Sequence, residues 1–131
     1  MFFKYTKWAM LWALLILVLC GIPGRDIPHI SFLELLSFDK FVHASIFFIL
    51  VLLTVRGFVV QTTFLSLKNS ARFIAFVLCV LYGGALEIMQ GTLFEQRTAS
   101  IFDFIANSFG AAIGLLFYKK IESVFLVRLI K

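Results

Sequence analysis

Charge is scarce in this chain, and that scarcity excludes most soluble folds. Only 15% of the 131 residues are charged and 62% are hydrophobic, with a mean hydropathy of +1.04. A water-soluble domain carries about 25% charged residues. Cysteine is equally sparse. Cys20 and Cys79 each lie alone inside an apolar run, which rules out a disulfide framework and a zinc knuckle and leaves the redox compartment unread. No G-x-S-x-G turn, phosphate-binding glycine loop or cysteine pair occurs, so the chain offers no recognised catalytic template. A formal charge of +5 and a pI near 9.5 would suit a nucleic-acid binder. However, the seventeen phenylalanines are scattered through apolar runs rather than interleaved with a basic stripe, so no stacking platform for bases is present.

What the chain does have is four long apolar stretches. The first contains fifteen uncharged residues from Trp8 to Ile22 and stops at Pro23-Gly24, a helix-ending pair. With flanking aromatics and the snorkelling lysines Lys4 and Lys7 it makes a span of about 6–23. A basic start before an apolar run also suits a cleaved signal peptide. No A-x-A site follows, and Leu19 before Cys20 is a poor lipoprotein site, so the span is expected to be retained. The others cover about 41–60, 73–93 and 101–118. Arg56, near the end of the second, is expected to snorkel to the interface. The predicted fold is all-α: a single domain, residues 1–131, forming a four-helix transmembrane bundle.

Basic residues set the orientation. With the N-terminus inside, nine of the twelve fall inside: Lys4, Lys7, Arg56, Lys68, Arg72, Lys119, Lys120, Arg128 and Lys131. Six of the seven acids, all but Glu122, fall outside. The positive-inside rule therefore predicts both termini in the cytoplasm, in a multi-pass membrane protein. The basic pI is a topology signal.

Alternating spans bring one set of polar residues to one face. Asp39, Lys40 and His43 open the second span, Glu87 and Gln90 close the third, and Asp103 and Asn107 open the fourth, with Arg97 in the loop before it. Ionisable groups in hydrocarbon cost about 2.5–3.5 kcal/mol each at the bilayer centre on insertion scales, so they are rarely idle. Spacings of three or four put each pair on one side of its helix. Ala75, Cys79 and Gly83 share the face of Glu87, and Gly110 and Gly114 that of Asn107. Small residues at this spacing let helices approach closely in a membrane, so the third and fourth spans are expected to pack through these stripes.

These positions resemble the VanZ-like family of small bacterial membrane proteins. The matching features are Asp39-Lys40-x-x-His43, Glu87-x-x-Gln90, and the run Arg97-x-x-Ser100-x-x-Asp103-x-x-x-Asn107-x-x-Gly110-x-x-x-Gly114, over about residues 39–114. The resemblance implies a membrane fold and an association with resistance to the glycopeptide teicoplanin, without an agreed chemical activity.

The residues themselves point to an outer-face site. Arg97 has the planar fork for clamping an anion, or pairs with Asp103 or Glu95. Glu87 lies deep enough to be a buried acid, either functional or paired with Arg97 or Lys40. Lys40 suits the interface, and His43 suits proton exchange or a bond to Asp39. Gln90 and Asn107 suit interhelical bonding, and Asp103 the first turn of a helix, with Ser100 as its cap. Asp39, His43, Glu87 and Asp103 form an oxygen-and-nitrogen donor set but come from three helices without the spacing of H-E-x-x-H. Geometry decides a metal site, so neither metal nor cofactor is expected from sequence. The preferred function is recognition of an anionic lipid or lipid-linked cell-wall precursor, in envelope homeostasis or glycopeptide tolerance, with the bilayer as the other partner. An enzyme acting on a lipid-linked substrate and a structural accessory subunit are the alternatives.

Overall fold

A computed structural model describes residues 1–21, 32–93 and 100–126, with side chains for 1–21, 40–93 and 100–124. The described residues are helical, without strands. They form α1 (Phe2–Cys20), α2 (Phe32–Val60), a short α3 (Leu65–Asn69), α4 (Ala71–Thr92) and α5 (Ile101–Ile121), which continues into a π-helical turn, Glu122–Leu126. Phe2–Cys20, Lys40–Val60, Ala71–Thr92 and Ile101–Val124 are each long and apolar enough to cross a membrane. At 1.5 Å per residue, the 19 residues of α1 reach about 28 Å, which nearly matches a hydrocarbon core of about 30 Å. α1 thus begins four residues before the expected span, and α2 begins a full two turns before its own.

α2 is the hub. Half of its apolar window is buried, against 33% for α4 and for α5 and 11% for α1. Its side chains Phe47, Leu50, Val51 and Val55 form the core with Ile16 of α1, Ala75, Cys79 and Leu86 of α4, and Ala111 of α5. α1 is therefore a largely lipid-facing helix held at a few points. Trp12 Nε1 donates to the Ile46 carbonyl at 2.9 Å, and the Tyr82 hydroxyl donates to that of Ala13. A Cβ on Gly57 would come 2.9 Å from the Tyr5 carbonyl, so α1 crosses α2 almost backbone to backbone there. An apolar cavity of about 220 Å³ remains between α1, α2 and α4, bounded by Thr6, Met10, Thr54, Phe58 and Cys79 among others.

The glycine stripe of α5 corrects one expectation. A Cβ on Gly110 would fall on the Ala44 carbonyl, and one on Gly114 on Val51 Cγ1 and near the Phe48 carbonyl. All are α2 atoms, so this stripe docks on α2 rather than on α4. The small residues of α4 are buried too. Gly83 leaves room for both the Phe47 ring of α2 and Asn107 of α5, whose atoms a Cβ would meet at 3.2 and 3.4 Å. The α5 glycines thus allow close approach to the α2 backbone at Ala44 and Phe48, whereas Phe47 of α2 turns its ring to Gly83 of α4.

Arg56 is also placed differently from expectation. Its Nη1 pairs with Glu122 Oε1 at 2.8 Å, and the Tyr118 hydroxyl donates to the same oxygen at 3.1 Å. At an apolar helix end, a carboxylate of opposite sign within reach competes with the route to water. Between α2 and α3 the amide of fully buried Gln61 closes the turn, donating to the Phe64 carbonyl at 2.7 Å and accepting its N–H at 2.8 Å.

Candidate functional site

The opposite end of the bundle holds the polar cluster. α2 and α5 begin there and α4 ends there, so His43, Glu87, Asp103 and Asn107 converge from three helices. All four are buried, at 8%, 6%, 8% and 1% exposure. Such burial among apolar helices is tolerable only with partners.

α5 is organised by its first turn. Ser100, in extended conformation, caps the helix by accepting the Asp103 N–H at 3.4 Å, and Asp103 lies in the first turn, where the helix dipole favours an acid. The Asp103 carboxylate then divides its two oxygens. Oδ1 pairs with the Lys40 ammonium, and Oδ2 faces His43 Nε2 at 3.8 Å. One turn along α5, Asn107 Oδ1 meets His43 Nδ1 at 2.9 Å. Glu87, five residues before the end of α4, accepts the Ser100 backbone N–H on Oε2 at 3.0 Å. The helix cap and the deep acid are thereby joined. His43, Glu87 and Asp103 each present one ligating atom within 4.8 Å of the others.

The structure therefore gathers Lys40, His43, Glu87, Asp103 and Asn107 into one cluster. Gln90 is buried but points elsewhere, its amide 3.4 Å from the Cys20 carbonyl at the end of α1. It serves as a tie between α4 and α1. Arg97 and the side chain of Asp39 lie outside the described residues. Two links were invisible in the sequence. The pairing of Lys40 with Asp103 joins positions sixty-three apart, and one donor to Glu87 is the Ser100 backbone N–H, which has no residue-type signature.

A family model described as VanZ/LLP1 matches residues 2–126. The chain belongs to the VanZ/LLP1 family. Membership extends the resemblance seen over residues 39–114 to nearly the whole chain and, with the four span-capable helices, makes this a multi-pass membrane protein. It also ties the chain to a family linked to glycopeptide resistance and the cell envelope. No curated protein and no solved structure matches it. In this VanZ/LLP1 chain, each of the three motifs that carry the resemblance contributes at least one residue to the cluster at one end of the bundle.

Chemically the cluster can do three things. His43, held on both sides, can exchange a proton. The two carboxylates and the imidazole can accept a cation. Lys40, whose side chain keeps 27% of its surface, can offer part of its charge to an anion at the mouth.

Proposed function

We propose that this VanZ/LLP1 protein recognises the anionic head group of a lipid or lipid-linked cell-wall precursor at the outer face of the bacterial cytoplasmic membrane. The observation that carries this reading is the convergence of buried, hydrogen-bonded polar side chains from three helices beneath a partly exposed lysine, at one helix end of a span-forming bundle. A cluster that served only to glue helices would not need a charged rim. Arg97, placed by sequence in the loop between α4 and α5, supplies the second cation. Its planar fork suits a phosphate or carboxylate.

Binding of a polyprenyl phosphate to the purified chain in nanodiscs tests this. Arg97→Ala should preserve folding and weaken binding at least tenfold, and Arg97→Lys should recover it only in part. Full recovery by lysine, or loss of fold in both variants, removes the anion clamp. An enzyme is the second reading, favoured by His43 standing between Asn107 and Asp103, with His43 or Glu87 as acid or base. Turnover of the head group by wild-type protein, lost with intact folding in Glu87→Gln, would select it. Absence of both binding and turnover of polyprenyl phosphate in the folded wild-type chain would favour a structural subunit.

Orientation is tested separately. In a background lacking Cys20 and Cys79, cysteines replacing Glu34 and Gln96 should react with an impermeant thiol reagent in intact cells. One replacing Lys68, exposed on α3 at the other end of the bundle, should not. The reverse pattern moves the cluster to the cytoplasmic side.

A further inference from the structure

We propose that Arg56 and Arg72, joined through Tyr118, form a second anion site at the end of the bundle opposite the polar cluster, and that its ligand is the phosphate of an anionic phospholipid. The proposal is independent of the head-group reading above and concerns the other membrane surface.

Three helices meet at this end. α2 stops at Val60, α4 begins at Ala71 and α5 stops at Ile121. The Tyr118 hydroxyl donates to Glu122 Oε1, the same oxygen that takes Arg56 Nη1. Arg72 lies over the Tyr118 ring, its guanidinium carbon 5.9 Å from the centroid. One buried tyrosine thus connects two guanidinium groups from different helices.

Neither arginine is fully used. Arg56 gives Glu122 one nitrogen, and its Nε is buried without a hydrogen-bond partner. A guanidinium is a planar fork suited to two-oxygen anions. One carboxylate oxygen, already shared with Tyr118, is a poor match for it. Arg72 is exposed, and among the described residues no carboxylate pairs with it. It stands in the first turn of α4, where the helix dipole opposes a cation, and that turn holds no acid. What holds it there is an aromatic face.

Local charge sets the sign of the ligand. Arg56, Lys68, Arg72, Lys119 and Lys120 stand at the ends of α2 to α5 here, against the single acid Glu122. The apolar flank sets its kind. Phe73 beside Arg72 and Phe117 beside Tyr118 are exposed, on helices apolar enough to cross a membrane. A ligand at these arginines therefore has hydrocarbon on one side and water on the other, which is the position of a phospholipid phosphate. Basic pockets between transmembrane helices bind such head groups elsewhere. Glu122 then stands in for the phosphate on Arg56. It does so from a π-helical turn, Glu122–Leu126, a geometry frequent at functional sites, and its own charge opposes that of the lipid.

The test titrates the full chain, delipidated in detergent, with phosphatidylglycerol, with phosphatidylcholine of the same chains and with inorganic phosphate. Native mass spectrometry counts bound lipid, and thermal unfolding checks the fold. Each variant is made in the wild-type chain and in an Arg97→Ala background, so that a lipid held at the opposite end is told apart. Phosphatidylglycerol is expected to bind at least tenfold tighter than phosphatidylcholine. Arg72→Ala should weaken it at least tenfold, beyond the about fivefold that one basic residue near a lipid surface supplies by its field alone. Lys68→Ala, the same charge change on exposed α3, should stay within that range. Arg72→Lys should recover binding only in part, and Glu122→Gln should tighten it about threefold. Equal affinity for the two lipids overturns the proposal whether or not the variants fold. So does an equal loss in Lys68→Ala and Arg72→Ala, which means a diffuse field, or weaker binding in a Glu122→Gln chain that unfolds at the wild-type temperature. Displacement of the lipid by equimolar inorganic phosphate overturns the lipid as ligand and leaves a free anion in its place.

Discussion

Leucine at Gly110 is expected to force α5 away from α2 and leave little folded protein. The reason is the identity of the neighbour. A Cβ at this position lands on the backbone carbonyl of Ala44, and a backbone inside a buried helix cannot rotate aside as a side chain can. Overpacking a core costs about 1–3 kcal/mol, occasionally more, and a clash with rigid backbone belongs at the upper end of that range. Total stability is about 5–15 kcal/mol, so a large fraction is at stake. Gly110→Ala should already lower the unfolding temperature, and Gly114→Leu should follow, since its nearest neighbours are Val51 Cγ1 and the Phe48 carbonyl. Gly84→Ala is the control, because its Cβ would meet only the Phe104 ring at 3.4 Å. Thermal unfolding in detergent, with yield of monodisperse protein, reads all four. If Gly110→Leu unfolds at the wild-type temperature, α5 does not dock on α2 through its glycines.

Asp103→Ala should destabilise the protein by about 3 kcal/mol, near the lower end of the 3–5 kcal/mol measured when one partner of a buried pair is removed. Truncation removes the carboxylate that pairs with the Lys40 ammonium and faces His43. It also spares the cap, because Ser100 bonds to the backbone N–H of residue 103 rather than to its side chain. The loss therefore reports on the charge cluster and not on helix initiation. Lys40→Met in the same chain should restore most of the stability, since replacing both partners with apolar groups is often near neutral. Chemical unfolding of the single and double variants measures this as a cycle. A double variant as unstable as Asp103→Ala alone would show that Lys40 is satisfied by other groups once Asp103 is gone, and a harmless Lys40→Met single variant would then show no coupling between the two.

Much of the fold was legible because the bilayer is an unforgiving solvent. Backbone groups in hydrocarbon must bond internally, so runs of apolar residues at Trp8–Ile22 and in the three later spans could become little other than helices. Ser100 three residues before Asp103 announced the start of α5, and the structure places it as the cap. The apolar run understated α1 and α2, whose helices extend into flanking segments that hydropathy does not mark. The short α3 escaped notice for a related reason. Its five residues are too few for a periodic signal, and the turn before it is fixed by the single amide of Gln61.

The candidate site was legible as a set of residues but not as a set of bonds. Lys40, His43, Glu87, Asp103 and Asn107 were all singled out from their positions at helix ends, and they meet. Gln90 shared the face of Glu87 in sequence, yet its amide reaches α1, because three residues of helical rotation are enough to change neighbours. The four spans, the gathering of their polar residues at one end and the need for small residues where helices cross all follow from residue order, since hydropathy and helical period are local properties. The docking of the Gly110 and Gly114 stripe on α2, the pairing of Lys40 with Asp103, and the contact of the Asn107 oxygen with His43 Nδ1 that leaves Nε2 toward Asp103 came from the packed bundle. Those outcomes depend on the rotation and depth of each helix against its neighbours, and side-chain packing across helices sets them.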